Sequence, residues 1–472
     1  MLPSTLVQLL FLFALPGVMA APSARSDAAG RWVGAIDVMG QKLGIAVTLT
    51  EEGGSLKGSI DIPQQGAKAV PLTNVRAAEG NLHFELQAGP GLAVFDGKLK
   101  NDGIAGTFEQ AGIKGAFTLA RGPKEEAQPV RAAEPPPYAQ EEVKIASGSN
   151  SLAGTLTLPP GKGPHPAVVL ITGSGPQNRD EEVFGVKPFL LLADNLTRAG
   201  IAVLRCDDRG VGGSTGNISQ ATTADFAEDA LAQVRFLRAR PDIDGKRIGL
   251  LGHSEGAIVA PMAATRSKEV AFIVLMSGPA LTGEKIMIAQ NDLVGRASGL
   301  PEERIRQNGE LQRKTFAAVR SGEGWDEVKA GIQAVARQSF EQIPEAQRKG
   351  IPDLDAAAGK VAEQQVAAVR TPWFRYFLDY DPAPALEKVT CPVLAVFGER
   401  DTQVPAALNR GPMEQALKRG GNGDFTIRVI PRANHLYQDS VTGGPAEYGT
   451  LKKEFIPGFL DLITSWINKR VR

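Results

Sequence analysis

Histidine is scarce in this chain, with four in 472 residues, and cysteine scarcer still, with two. Cys206 and Cys391 allow one disulfide at most. Each lies at an end of a predicted strand in a large domain that has little need of a staple. An excess of charge of either sign is missing too: Lys plus Arg and Asp plus Glu number 52 each. That balance excludes the basic surplus that nucleic acid or an anionic membrane would call for. Aromatic residues make up only 6%, yet hydrophobic residues reach 43%, which is ample core-forming material for a globular chain. The length suggests two or three domains.

Long apolar runs are also missing. The N-terminal one, in "MLPSTLVQLLFLFALPGVMAAPSARS", extends from Leu6 to Leu15. That is short of the about 20 apolar residues a membrane span needs. Val18-Met19-Ala20 suits a signal-peptidase cut after Ala20, although no Lys or Arg precedes the run. The expectation is a cleaved export signal over 1–20, a periplasmic or secreted protein and no stable membrane anchor. No cysteine follows the cut to carry a lipid.

Residues 27–121 read as short, partly alternating strands split by Gly, Asn or charged turns: "RWVGAIDV", "KLGIAVTLT", "SLKGSIDI", "NLHFELQ", "GLAVFDGKL", "GIAGTFEQ" and "GAFTLA". That spacing predicts an antiparallel meander closed as a small barrel or sandwich. It carries no cluster of catalytic residue types. His83 reads as a partly buried structural residue, and the domain as a packing or dimerisation module whose ligand or partner is unknown. Residues 122–141, "GPKEEAQPVRAAEPPPYAQE", are Pro-, Ala- and Glu-rich without hydrophobic period and read as a semi-rigid linker.

From residue 142 the pattern becomes α/β. "HPAVVLITGSG", "IAVLRCDDRG", "RIGLLGHSEG", "VAFIVLMSGPA", "CPVLAVFGERD" and "FTIRVIPRANH" are apolar strands. Helical stretches separate them, among them "KPFLLLADNLTRAG", ending at Gly200, and "TTADFAEDALAQVRFLRAR", capped by Thr222 or Thr223. Continuous apolar strands alternating with helices imply a parallel sheet covered on both faces. The alternation stops over 281–385, a charged helical insertion that reads as a cap.

Two G-x-S-x-G matches occur, at Gly252–Gly256 and Gly212–Gly216. A nucleophile elbow needs a strand that runs straight into the turn and a helix that starts straight after it. "IGLLGHSEGAIVA" provides both, which selects Ser254. In "LRCDDRGVGGSTGNIS", Asp207 to Val211 separate the strand from Gly212 and no helix start follows, so Ser214 reads as a loop residue. The "DDRG" turn is expected to shape the base of the site.

A serine hydroxyl needs a base, and the base an orienting carboxylate. In this chain order the base must follow the serine. His83 is in the β domain, His165 precedes the first long core strand, and His253 sits inside the elbow. Elimination leaves His435, just after the last strand. The carboxylate belongs after an earlier strand, where "GERD" offers Asp401, with Glu399 as the alternative. An oxyanion hole needs N–H donors. The backbone of Glu255 is one. Ser174 in "TGSGPQNRD" is the other, with Gly175 as the runner-up.

With these residues in view, 142–472 resembles an α/β-hydrolase, similar to exported bacterial esterases and serine aminopeptidase-like hydrolases with a helical cap. The resemblance rests on "TGSGPQNRDE", "DDRGVGGSTG", "GHSEG", "TPWFRYFLDYDPAPAL", "CPVLAVFGERDTQVP" and "ANH". It implies a mostly parallel eight-stranded sheet in which the Cys206 and Cys391 strands are not neighbours. It also implies Ser254, Asp401 and His435 as nucleophile, acid and base. Thr172 stands where many relatives carry His before the oxyanion glycine.

The expected chemistry is cleavage of a small carboxylic ester through an acyl-enzyme, with no metal and no cofactor. Trp373, Phe374, Tyr376, Phe377 and Tyr380 could line an acyl pocket, with Trp373, Phe374 and Phe377 foremost, or form the packing face of the cap. A peptidase would instead need acidic residues to hold an α-amine, for which Glu302, Glu303 and Asp326 are present. A binding protein with a degenerate hydrolase domain is the remaining alternative.

Overall fold

The computed structural model describes residues 28–122, apart from 39–40, 53–54, 63–66, 79, 88–91, 101 and 111–112, and then 136–342, 351 and 353–471. The expected signal segment and residues 123–135 of the expected linker lie outside the described residues. The chain divides into two compact units. One takes in the N-terminal strands and residues 322–368, the other residues 134–321 and 369–472.

The first unit holds one nine-stranded sheet: β1 (Gly30–Val38), β2 (Gln41–Glu52), β3 (Ser55–Ile62), β4 (Ala67–Pro71), β5 (Thr73–Ala78), β6 (Asn81–Gln87), β7 (Leu92–Lys100), β8 (Gly103–Gln110) and β9 (Ile113–Arg121). The order is β4-β3-β2-β1-β9-β8-β7-β6-β5. Every pairing is antiparallel, and β9 returns to β1. The ladder is therefore open only between β4 and β5. A single curled sheet replaces the choice between barrel and sandwich. The strands β4 and β5 went unread in the sequence, because "AKAVP" ends in a proline, which cannot donate to a ladder, and "TNVRAA" is polar. One apolar cluster fills the concave face, including Trp32, Val47, Ile60, Phe84, Phe95 and Phe117. Phe84 and Phe95 stack at 4.5 Å. His83 is half-buried on β6 and pairs with Asp96 at 2.7 Å.

The second unit is built on β10 (Ala139–Ser147), β11 (Asn150–Leu158), β12 (His165–Ile171), β13 (Ala202–Cys206), β14 (Ile243–His253), β15 (Phe272–Met276), β16 (Val393–Gly398) and β17 (Phe425–Ile430). Their order is β10-β11-β13-β12-β14-β15-β16-β17. The pairs β10/β11 and β11/β13 are antiparallel and the rest parallel. The strand β10 begins at Ala139, inside the segment read as linker. Its alternation "AQEEVKIAS" leaves one side polar, which hid it among charged residues.

Side chains alternate across a strand, and here both faces are buried. Val169 and Leu250 face one cluster with α2 (Thr223–Arg238), α3 (Gly256–Arg266) and α10 (Ala406–Arg419). Val168, Leu170 and Leu251 face another with α1 (Pro188–Arg198) and the C-terminal α11 (Phe459–Val471), which contributes Phe459, Ile463 and Trp466. Thr222 caps α2: its N–H and hydroxyl both donate to the Asp225 carboxylate, at 2.8 and 2.7 Å.

Cys206 ends β13 and Cys391 precedes β16. The strands β12, β14 and β15 lie between, and both cysteines are free. Burial pushes the Cys391 thiol up to about 11. Between β15 and β16 the described residues are helical: α4 (Gly283–Ala297), α5 (Glu302–Ser321), α6 (Trp325–Glu341), α7 (Leu354–Val369), α8 (Pro372–Asp379) and α9 (Ala383–Leu386). Among the described residues no helix is long and apolar enough to cross a membrane.

Candidate active site

The carboxyl ends of β12, β13, β14, β16 and β17 each deliver a loop to one edge of the sheet. In open α/β sheets that edge is where ligands bind. At the end of β14 the chain turns at Ser254, whose φ is 53°, a left-handed conformation that an L-residue other than Asn or Asp rarely adopts. The Ser254 N–H donates to Met276 O at 2.8 Å, and α3 starts two residues on, at Gly256. The turn tolerates only glycine on either side. A Cβ at Gly252 would stand 2.0 Å from Gly256 O, and one at Gly256 would stand 2.1 Å from Ile171 O.

After β17 the chain carries His435 in a loop closed by Asn434, whose buried side-chain oxygen accepts the N–H groups of Leu436 and Gln438 at 3.0 and 2.9 Å. His435 Nδ1 lies 2.8 Å from Asp401 Oδ2, with the two side chains 6% and 0% exposed. The other carboxylate oxygen accepts from Gln403 N and Val404 N at 2.8 and 2.9 Å. Burial works to raise the Asp401 carboxyl, but the facing imidazole and these N–H donors outweigh it and hold it below the usual range. Glu399 points elsewhere: it is exposed and accepts from Arg432 N at 2.8 Å. Among the described residues no hydrogen bond joins Ser254 Oγ to His435. Catalytic bonds commonly tighten only in the substrate complex.

The two side chains that flank Ser254 in the chain, His253 and Glu255, are both buried. His253 Nε2 donates to His435 O at 2.9 Å, and Nδ1 faces Glu181 Oε1 at 3.0 Å. Both ring nitrogens thus point at acceptors, which favours the doubly protonated ring. Burial opposes that charge, yet Glu181 outweighs it and raises the His253 pKa above its ordinary value. The same Glu181 oxygen accepts from Gly173 N at 2.7 Å. Glu255 is 2% exposed, and its Oε1 accepts from Thr223 Oγ1 at 2.7 Å and from Trp373 Nε1 at 2.8 Å.

The loop that follows β12 is held from below by the "DDRG" turn. Thr172 Oγ1 and Gln177 N donate to Asp208 at 2.7 and 2.8 Å, and Arg179 binds Asp207. With the Gly173 N–H engaged by Glu181, the N–H groups of Ser174 and Gly175 come next along the loop. The N–H of Glu255 lies at the start of α3, where a helix leaves its first donors without internal acceptors. Ser214 belongs to the scaffold: its hydroxyl donates to Asp207 O and accepts from Ala153 N, both at 2.8 Å.

The aromatic candidates separate. Phe374, 1% exposed, points into the cap, with its ring 6.3 Å from that of Phe316 on α5. Phe377 is buried in the hydrolase core, and Trp373 stacks on it at 5.1 Å while remaining half-buried. Glu302 and Glu303 are engaged by Arg296 and Arg306, and Asp326 belongs to the other compact unit. His165 begins β12, at the opposite edge of the sheet from the site. Among the described residues no group of three or more His, Cys, Asp or Glu side chains is arranged to hold a metal ion.

Sequence reasoning missed Glu181 and Arg179. They sit in polar loops, and only tertiary structure brings Glu181 to a histidine 72 positions away.

Over 342 residues the chain is 29% identical to the esterase EstD of Thermotoga maritima, covering 71% of this chain and 69% of that one. It is 26% identical over 262 residues to an uncharacterised 31.7 kDa protein of Escherichia coli, covering 54% of this chain and 80% of that protein. Among solved structures, an esterase of Pyrococcus furiosus is 16% identical, with a TM-score of 0.41 over 71% of this chain and 90% of that one. A proline iminopeptidase of Mycobacterium smegmatis is 18% identical, with a TM-score of 0.43 over 70% and 98%. The sequence model of the alpha/beta hydrolase family matches residues 168–445, more than half the chain and the whole span from β12 to beyond His435. The chain is a member of the alpha/beta hydrolase family.

Proposed function

We propose that this protein is a serine hydrolase of carboxylic esters, with Ser254 as nucleophile, His435 as base and Asp401 as the carboxylate that orients it. The observation that carries the reading is the buried His435–Asp401 pair, 2.8 Å apart, on the sheet edge where β14 presents Ser254 at a strained turn. His435 Nε2 takes the proton as Ser254 Oγ attacks the ester carbonyl. The Glu255 N–H and that of Ser174 or Gly175 receive the developing oxyanion. The alkoxide leaves with the proton from His435, and water, deprotonated by the same imidazole, frees the acid from the acyl-enzyme. Asp401 stays ionised throughout and fixes the tautomer. The esterase relative from Thermotoga maritima supports the choice of esters.

The test is hydrolysis of p-nitrophenyl esters from acetate to palmitate beside Ser254→Ala. Activity that vanishes with the serine is expected. A folded protein that reacts with a serine-directed phosphonate but cleaves no ester would move the substrate to amides. Failure to react with the phosphonate as well would favour a binding protein.

A further inference from the structure

Glu255 carries a side chain that the mechanism above does not use. Resting on that mechanism, we propose that its carboxylate is a positioning group that sets the acyl-chain preference of the site by pinning the indole of Trp373 beside the nucleophile. Glu255 follows Ser254 directly in the chain, so the indole it holds is tied to the elbow residue next to the nucleophile. Three contacts fix that indole. Its N–H donates to Glu255 Oε1 at 2.8 Å, its ring stacks on Phe377 at 5.1 Å and 16°, and it lies edge-on to Phe374 at 6.1 Å. Phe377 and Phe374 are buried, so neither can follow if the indole swings. The carboxyl is equally constrained. Thr223 at the start of α2 donates to the same oxygen at 2.7 Å. One buried acid thus joins the elbow, α2 and the cap helix α8.

Such a buried acid is costly to keep unless its bonds do something. Its Oε2 has no hydrogen-bond partner, so the whole polar return comes through Oε1 and its donors. An apolar residue at this position would fill the same buried space without that cost. What it could not do is hold an indole N–H. The half-buried indole then forms a flat apolar wall that a long acyl chain can lie against and an acetyl group is too short to reach.

The experiment measures the rate at which p-nitrophenyl phosphonates with methyl to octyl chains label the protein. The octyl-to-methyl ratio reads the wall, because a generally loosened site would lower both rates alike. Trp373→Phe keeps a ring and removes the N–H. It is expected to lower the ratio about tenfold, the scale of one lost hydrogen bond to a charged or buried group. Glu255→Leu should lower it to the same extent, the double variant no further, and Glu255→Gln, which keeps a carbonyl acceptor, should restore most of it. An unchanged ratio in Trp373→Phe, or losses that multiply in the double variant, would overturn the proposal while leaving the esterase reading intact. Wild type that does not label at all would overturn both. Should Glu255→Leu fail to fold, Trp373→Phe and Glu255→Gln decide the matter between them.

Discussion

Two segments of this molecule spell the same five-residue pattern, and the structure gives them opposite lives. Gly212–Gly216 lies in the loop after β13. There Ser214 is 8% exposed, and its hydroxyl donates to Asp207 O and accepts from Ala153 N. Gly252–Gly256 joins β14 to α3, and Ser254 has φ of 53° and a hydroxyl with no protein partner among the described residues. A satisfied hydroxyl is a structural part. An unsatisfied one, held at a strained strand-to-helix junction at the carboxyl edge of a parallel sheet, is what the proposed nucleophile requires. The difference lies in the backbone on either side of the serine, since the side chains are identical.

The sharpest way to break the comparison is Ser254→Ala. It is expected to lower kcat/KM for p-nitrophenyl butyrate by about 10⁴-fold or more and to abolish phosphonate labelling. The next effect tests the backbone instead of the hydroxyl. In Gly256→Ala the new Cβ would meet Ile171 O at 2.1 Å. The strand-to-loop junction must move, and a shift on the order of 1 Å at a catalytic centre can cost about 10²-fold in rate. Steady-state kinetics on the same ester checks it, with circular dichroism to show that the variant is folded.

The elbow differs from the loop in its neighbours as well. His253 is buried between Glu181 and the His435 carbonyl, and its pKa is raised above the ordinary 6.5. A raised folded-state pKa means that the pair stabilises the fold fully below about pH 6.5 and loses that contribution as pH rises through the folded value. Glu181→Gln removes the charge that causes the shift. The gap in melting temperature between wild type and Glu181→Gln should therefore be wider at pH 6 than at pH 9. A gap that is constant, or wider at pH 9, would show that His253 is neutral in the folded state.

How much of this could be read from residues alone depended on whether the signal was local. The elbow was legible because strand, turn and helix follow each other within "IGLLGHSEGAIVA". His435 could be singled out because histidine is so rare, and the structure sets it 2.8 Å from Asp401. The α/β sheet was legible because its buried strands are continuous apolar runs. The strand β10 was lost because one polar side made it look like linker, and β4 and β5 were lost because Pro71 and polar residues mask short edge segments. The two roles open to Phe374 could not be separated in the sequence, because an aromatic on a cap helix reads the same whether it faces a pocket or α5. Glu181 was out of reach altogether. Its meaning lies in a histidine and a glycine that the fold brings to it.

The smallest effect is the most direct check on the other half of the comparison. Ser214→Ala deletes the acceptor for the Ala153 N–H and the donor to Asp207 O, both in buried surroundings. Leaving such groups unmatched costs about 1–3 kcal/mol, which for a domain of this class lowers Tm by roughly 2–4 °C per kcal/mol. The enzyme that remains folded should keep its kcat/KM and its phosphonate labelling, because no contact of Ser214 reaches Ser254, His435 or Asp401. A variant that melted like wild type but lost its labelling would reverse the assignment of the two serines. It would mean that a hydroxyl already committed to two backbone partners can be the reactive one. The geometry at Ala153 and Asp207 makes that the harder chemistry, since both bonds would have to break before the oxygen could attack.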